Sequence, residues 1–441
     1  MPRRLGWRGA SVARRYLATT TLPVTLKTSG KDIMLFAPPD EVEPQALKQL
    51  RDIAESGYIE GHVAAMPDVH LGKGVTIGSV FASAEWVAPN AVGVDIGCGM
   101  GAVRIHGLYR DVGLPSLRKM QELIKERIPV GFNHHRHALE GSERVIKETM
   151  LDMKCSSWLR SAVRNSDVVE KQVGTLGGGN HFLELVYDEL DRVWIFLHSG
   201  SRRIGNTTAS HHNEVARDYM IRHGLPRPNS DLNFLHIDSR EGQEYLNDME
   251  WCQAYAFANR AAMIRVMKDV VAEVTGCKSD DSSEINIHHN YCSCEECEIT
   301  RADGTTENKQ LWVTRKGATS AKKGQIGLIP GSMGSGSYVV RGKGNPTSLQ
   351  SCSHGAGRRM SRTAAFNTLS QAEFEQTMQG VVCDVDERLR DEAPAAYKDL
   401  SRVMQHQESL VEVVHHFHPL LNVKGIETPK QMRRSHRLKK R

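Results

Sequence analysis

A chain of 441 residues that is 39% hydrophobic and 25% charged has ordinary globular composition, and it holds no apolar run near the roughly 20 residues of a membrane span. The net charge of +5 sits at the ends: residues 1–21 carry five arginines and no acid, residues 426–441 carry seven Lys and Arg against Glu427, and the chain between is left at −6, which excludes a basic field over the whole body. Nine cysteines without a compact framework exclude a disulfide-built secreted domain and fit a reducing compartment.

The elements follow in chain order. MPRRLGWRGASVARRYLATTT is Arg-rich, acid-free and hydroxyl-bearing, the composition of an organellar presequence. A leader over 1–29 is therefore expected to direct import into a mitochondrion or another organelle, the alternative being a cytoplasmic or nuclear protein with a plain basic leader. Helical periodicity predicts helices over 43–57, 116–128, 213–224, 241–274 and 397–417. Short strand-like runs fall at 75–82, 181–186, 192–198, 309–315 and 337–342, mostly beside Gly-rich motifs. The fold class is α+β, because strands and helices do not alternate regularly enough for a doubly wound sheet.

The motifs carry the chemistry. MPDVHLGKG places Asp68 and His70 before Gly-Lys-Gly, and Gly74 stands where a Walker loop requires Ser or Thr. VGVDIGCGMG sets the hard oxygen of Asp95 three residues from the soft sulfur of Cys98, a pairing suited to borderline divalent ions. GTLGGGNHFLEL supplies Asn180, His181 and Glu184. On a strand His181 and Glu184 face opposite ways, so His181 is assigned to metal and Glu184 to a neighbouring ligand role. HSGSRRIGN adds His198, and INIHHNY adds His288, His289 and Asn290. Donors of N, O and S type spread over this span fit two adjacent sites bridged by one thiolate, and paired ions about 4 Å apart are a usual clamp for phosphoryl transfer. RKGATSA, IPGSMGSGSYVVRG and SCSHGAGRRMSR are dense in Gly, Ser and Arg, as a nucleotide pocket requires, and the imidazole of His354 is a competent nucleophile towards phosphorus.

In order and approximate spacing, VGVDIGCGM, GTLGGGNHFLEL, LHSGSRRIGN, HHNY, RKGATSA, IPGSMG, CSHGAGRRMSR, AYKDL and the closing VKG resemble the RtcB family of 3′-phosphate RNA-splicing ligases, from about residue 30 to Gly425. The resemblance overrides the three domains that length alone would suggest. It implies a single catalytic domain over 30–425, with mixed β-sheets flanked by helices around a two-metal site; residues 426–441 lie outside it and read from their composition as a disordered basic tail, the alternatives being nuclear targeting or RNA contact. It further implies that Asp95, Cys98, His181, His198 and His289 bind two Mn²⁺ ions, Cys98 bridging. His354 would attack the α-phosphorus of GTP and hold GMP, with Asp68 in the catalytic set. Asn180, Glu184, Ser332, Ser337, Gly355, Ala356, Gly357, Tyr397 and Lys424 would contact the guanylate. The implied reaction opens an RNA 2′,3′-cyclic phosphate to a 3′-phosphate, caps it with GMP and joins it to a 5′-hydroxyl, in tRNA splicing or RNA repair. An archease-type activator is the implied protein partner, and no membrane is involved.

Other readings use fewer of these residues. A metal-dependent phosphohydrolase would need the Asp95, Cys98 and His set but not His354, and a silent RNA scaffold would need neither; the intact SCSHGAGR argues against both. A lysine-nucleophile ligase is disfavoured by the absence of Lys-x-Asp-Gly. CSCEECEITRADGTTENK, at 292–309, has the look of a hairpin extension, and Cys292, Cys294 and Cys297 are weighed as ligands of a further zinc ion against a plain reduced hairpin.

Overall fold

Strand-forming runs near 75–82 and 309–315 meet in one sheet, and those near 181–186, 192–198 and 337–342 meet in a second. The computed structural model describes residues 21–426 apart from 143–145, 147, 149–151, 230 and 301–303; most of the expected leader and all of the tail after Ile426 lie outside the described residues. The first sheet has the order Val24–Leu26, Ile33–Leu35, Glu60–His70, Ile77–Ser83, Thr306–Lys316, Asn290–Thr300. The second runs Ser279–His288, Gly99–Tyr109, Arg192–Ser199, Phe182–Tyr187, Val411–Lys424, Ser337–Gly342, Ile326–Pro330. Val24–Leu26 falls inside the stretch assigned to the leader, yet it pairs antiparallel with Ile33–Leu35, so the folded unit begins before residue 30.

The helix Arg240–Thr275 organises the packing. It starts where the Ser239 hydroxyl accepts the Gly242 N–H and stops at Gly276, whose φ of 74° is the left-handed conformation glycine adopts most readily. Its C-terminal half packs Met263, Ile264, Met267, Val270 and Val271 on Leu183, Leu185, Ile195 and Leu197 of the second sheet, with Leu117, Met120 and Ile124 of the helix Leu114–Arg127 alongside. Each such side chain contributes roughly 1.5–3 kcal/mol on burial. The other face of that sheet buries Met100, Phe182, Phe196, Leu328, Val339 and Phe417.

One expected element is wrong. The helix predicted over 397–417 is a short helix, Leu400–His406, followed by the strand Val411–Lys424. From Val411 onward the chain reads VEVVHHFH, and the strand is paired in succession, its first half (Val411–Phe417) with Ser337–Gly342 and its second (His418–Lys424) with Phe182–Tyr187. Pairing with two strands in turn and the β-branched and aromatic side chains override the helical period there. The helix expected over 213–224 extends back to Arg202, through a polar NTTASHH turn whose apolar stripe is too sparse to read. The hairpin at the cysteine-rich extension is present, in register from Asn290↔Lys316 to Thr300↔Thr306. Its thiols do not converge: Cys292 and Cys297 are buried, Cys294 is exposed, and the grouped metal-type donors among the described residues lie elsewhere.

Candidate metal and nucleotide site

Strand register assembles the donor cluster. Gly99–Tyr109 is flanked by two strands, with Gly99 opposite both Ser199 and His288 and Met100 opposite His198. Phe182 in turn faces His198. The residues at or just beyond these strand ends, Cys98, His181, His198 and His289, are thereby delivered to one place from four distant parts of the chain. His289 is the residue at which the chain leaves the second sheet for the first, between Ser279–His288 and Asn290–Thr300.

The donor atoms meet closely. Cys98 Sγ lies 3.4 Å from His181 Nε2 and 3.2 Å from His198 Nε2. His181 Nε2 is 3.0 Å from Asp95 Oδ2, and His198 Nε2 is 3.2 Å from His289 Nε2. His181 Nδ1 faces the Leu176 carbonyl at 2.9 Å and His198 Nδ1 the Asn180 carbonyl at 3.2 Å. A carbonyl only accepts, so both Nδ1 atoms carry the proton and both Nε2 atoms turn lone pairs into the cluster. Burial, reinforced by neighbouring histidines, pushes the pKa of His198 and His289 well below the usual value and keeps them neutral, the form that binds metal. Burial and the Asp95 charge push the Cys98 thiol well up. Loss of hydration works against ionisation of Asp95, but its side-chain partners outweigh it and hold the carboxyl at about 2. Facing lone pairs, a carboxylate and a thiol converge here, and that donor set fits borderline divalent cations.

Two glycines leave room for this. A Cβ on Gly200 would stand 2.3 Å from Asp95 Oδ1. Gly177 has φ +99°, and a Cβ there would fall 2.2 Å from an Arg202 nitrogen and 2.6 Å from His181 Nδ1. Arg260, mid-helix and fully buried, ties the region together by donating to the Gly97 carbonyl at 2.8 Å, the Ser199 carbonyl at 3.0 Å and Asn286 Oδ1 at 2.7 Å. Its other guanidinium nitrogen lies 3.0 Å from His288 Nδ1, so of the two adjacent histidines His289 joins the cluster and His288 the support.

His354 lies next to this group, its ring edge-to-face with His289 at 4.9 Å between centroids. Asp68 Oδ2 accepts from His354 Nδ1 at 2.6 Å, from the His354 N–H at 3.1 Å and from the Gly355 N–H at 3.3 Å. Burial opposes the Asp68 charge, but the charge and hydrogen bond of His354 prevail and its pKa lies below the ordinary value. With Nδ1–H committed to Asp68, the Nε2 lone pair of a neutral His354 is the one available for attack.

The remaining predicted residues gather around the His354 loop. Ala356 N–H donates to the Pro330 carbonyl at 3.0 Å, and Lys398 N–H to the Gly357 carbonyl at 2.9 Å. Ser337 Oγ accepts the Gly331 N–H at 3.3 Å, and the Ser332 hydroxyl is 2.9 Å from that of Ser335. Tyr397 and Lys424 meet on Glu392: the Tyr397 hydroxyl donates to Oε2 at 2.7 Å, and Lys424 Nζ stands 2.8 Å from the same atom. Arg358 and Arg362 reach Glu392 Oε1 at 3.3 Å and 2.6 Å, and Arg362 also pairs with Asp391. Glu184 faces Asn422 across the pairing of Phe182–Tyr187 with Val411–Lys424 and accepts its Nδ2–H at 2.7 Å. Burial raises the Glu184 pKa to about 7 against that hydrogen bond and the charge of Lys424. Asn180 has an exposed side chain and enters the site through its carbonyl on His198.

Sequence reasoning missed Glu392, Asn422 and Arg260. Glu392 sits in ERLRDE, where alternating charges read as a solvated surface, and Arg260 is one cation in a long amphipathic helix. Asn422 precedes the quoted VKG by one residue and carries no signal of its own.

The profile of a family described as tRNA-splicing ligase RtcB matches residues 49–425. The RNA-splicing ligase RtcB of Escherichia coli (strain K12) is 38% identical over 423 residues, 93% of this chain and 99% of the relative. The RNA-splicing ligase RtcB of Mycobacterium tuberculosis is 32% identical over 423 residues, 82% of this chain and 96% of the relative. The tRNA-splicing ligase RtcB of Archaeoglobus fulgidus is 31% identical over 454 residues, 87% of this chain and 92% of the relative. With a profile match over most of its length and full-length relatives above 30% identity, the chain belongs to the RtcB family.

Proposed function

We propose that this protein is an RNA ligase that joins a 2′,3′-cyclic phosphate or 3′-phosphate end to a 5′-hydroxyl end, using GTP and two Mn²⁺ ions. The observation that carries the reading is His354, held through Nδ1 by a buried carboxylate, beside the metal-type donors Cys98, His181 and His198, with Asp95 against His181 and His289 against His198.

In the first step His354 Nε2 forms a bond to the α-phosphorus of GTP as the bond to the β-phosphate oxygen breaks and pyrophosphate departs. The imidazole gains positive charge, and the Asp68 carboxylate on Nδ1–H balances it without taking the proton. Ionised Glu184 accepts the guanine N1–H and N2–H donors, and Lys424, Tyr397, Ser332, Ser337, Asn180 and the Gly355–Gly357 backbone position the rest of the guanylate. Water opens the cyclic phosphate. An oxygen of the resulting RNA 3′-phosphate attacks the GMP phosphorus, the N–P bond breaks, and His354 returns to the neutral form. The 5′-hydroxyl then attacks the RNA phosphorus and GMP leaves, so the junction keeps the phosphate of the 3′ end.

Asp95, Cys98, His181, His198 and His289 would hold the Mn²⁺ ions, which would supply neutralisation of phosphate charge and polarisation of the P–O bonds. An archease-type activator is the protein partner in this reading, and the RNA is a broken or spliced strand such as a pair of tRNA halves.

The test uses RNA labelled in its 3′-terminal phosphate, a 5′-hydroxyl strand, GTP and Mn²⁺. Ligation by this route yields a joined strand whose label resists phosphatase. Release of the label as free phosphate without joining overturns the reading.

A further inference from the structure

The turn after the helix Leu114–Arg127 has no part in the site described above, yet it is built onto the same backbone. Val130 bridges Gly177, Leu176 N–H donates to the Pro129 carbonyl at 3.0 Å, and Gly131 N–H donates to the Gly177 carbonyl at 2.7 Å. Arg202 donates one guanidinium nitrogen to the Gly131 carbonyl at 2.8 Å and another to Thr175 Oγ1 at 3.1 Å. Further along, His135 N–H donates to the Lys171 carbonyl at 3.0 Å, and His135 Nε2 is 3.0 Å from the Gly174 carbonyl. Both ends of the turn are therefore fixed to 171–177, the stretch that runs directly into Asn180 and His181. Gly425, next to Lys424, lies close by as well: a Cβ there would stand 2.3 Å from the Gly177 carbonyl oxygen and 2.9 Å from the Gly131 nitrogen.

On this anchored backbone Phe132 points outward, 49% exposed. Asn133, His134, Arg136 and His137 are exposed beside it, and the segment 131–137 contains no acid. An aromatic ring on a pinned turn offers a pre-ordered face, and a base of any identity has a π-face to lay on it. The cations matter because the chain between the two ends is net −6, so a polyanion at this site needs local positive charge.

We infer that the turn 131–137 grips a single-stranded RNA end at the mouth of the site: Phe132 stacks on a base near the reacting terminus, and Arg136 with His134 meets the backbone phosphates. The inference rests on the ligase reading above. Stacking without base readout suits an enzyme that joins ends of varied sequence.

The test uses the full chain with Phe132→Ala, Phe132→Trp and Arg136→Ala. Three readouts are needed: GMP loading of the protein from GTP without RNA, binding of a 3′-phosphate oligoribonucleotide at several salt concentrations, and the KM for RNA. Phe132→Ala is expected to load GMP normally and to bind RNA on the order of tenfold more weakly, with Phe132→Trp restoring affinity. Arg136→Ala is expected to reduce the slope of log K against log salt by about 0.7. Unchanged RNA affinity and KM in Phe132→Ala overturn the inference, as does a loss confined to binding of a protein activator. Failure of the parent chain to load GMP counts against the ligase reading, while the binding titration still decides this one.

Discussion

Lys424 and Glu392 pair at 2.8 Å with both side chains only 3% exposed, and the same carboxylate also receives Tyr397, Arg358 and Arg362. Burial opposes the charge of Glu392, but Lys424 first and then Arg362 outweigh it and hold the carboxyl at about 2. Removing the acid leaves Lys424 buried without a counter-charge. Glu392→Ala is predicted to cost about 3–5 kcal/mol in chemical denaturation at neutral pH. A loss under about 1 kcal/mol would show that the network is not structural. The sign with pH follows: this stabilisation is present above the ordinary 4.5 and is lost as pH falls towards 2.

Gly200 tests the metal assignment without touching a ligand. A Cβ there would stand 2.3 Å from Asp95 Oδ1, so Gly200→Ala must displace that carboxylate. The variant is predicted to fold and to bind substoichiometric Mn²⁺ by elemental analysis after gel filtration, with Cys98→Ala losing both ions. Full metal content in Cys98→Ala would show that the donors do not form the site.

Glu184 predicts a pH dependence in nucleotide binding. Its pKa is raised from 4.5 to about 7, so in the fold it is neutral at pH 6 and ionised at pH 8. A raised carboxyl disfavours the folded state progressively as pH climbs from 4.5 to 7, and only the ionised form offers two acceptors to guanine. GTP affinity measured calorimetrically is expected to rise roughly tenfold between pH 6 and pH 8 and to lose that rise in Glu184→Gln. A flat profile in the parent protein would contradict the guanine contact.

Local sequence carried the donors but not their meeting. Asp95, Cys98, His181 and His198 stood out by residue type beside glycines, because a ligand on a tight turn leaves that mark, and His289 stood out as one of a His pair in INIHHNY. Their convergence depends on the register of Gly99–Tyr109 with two distant strands, which no local pattern encodes. The same limit produced the false helix over 397–417: VEVVHHFH is a strand because it pairs along the distant Ser337–Gly342 before the chain runs on against Phe182–Tyr187. Glu392 was hidden for a related reason, since an acid among arginines reads as surface until the fold buries it against Lys424.

The most direct measurement of the central claim is the mass of the intact protein after incubation with GTP and Mn²⁺, read for the parent chain, His354→Ala and Asp68→Asn. The account predicts an acid-labile GMP adduct on the parent, none on His354→Ala, and formation slowed by about 10²–10⁴-fold in Asp68→Asn, which keeps the side-chain shape but loses the charge on Nδ1–H. A GMP adduct that persists in His354→Ala, or a parent protein that never acquires one, would contradict it.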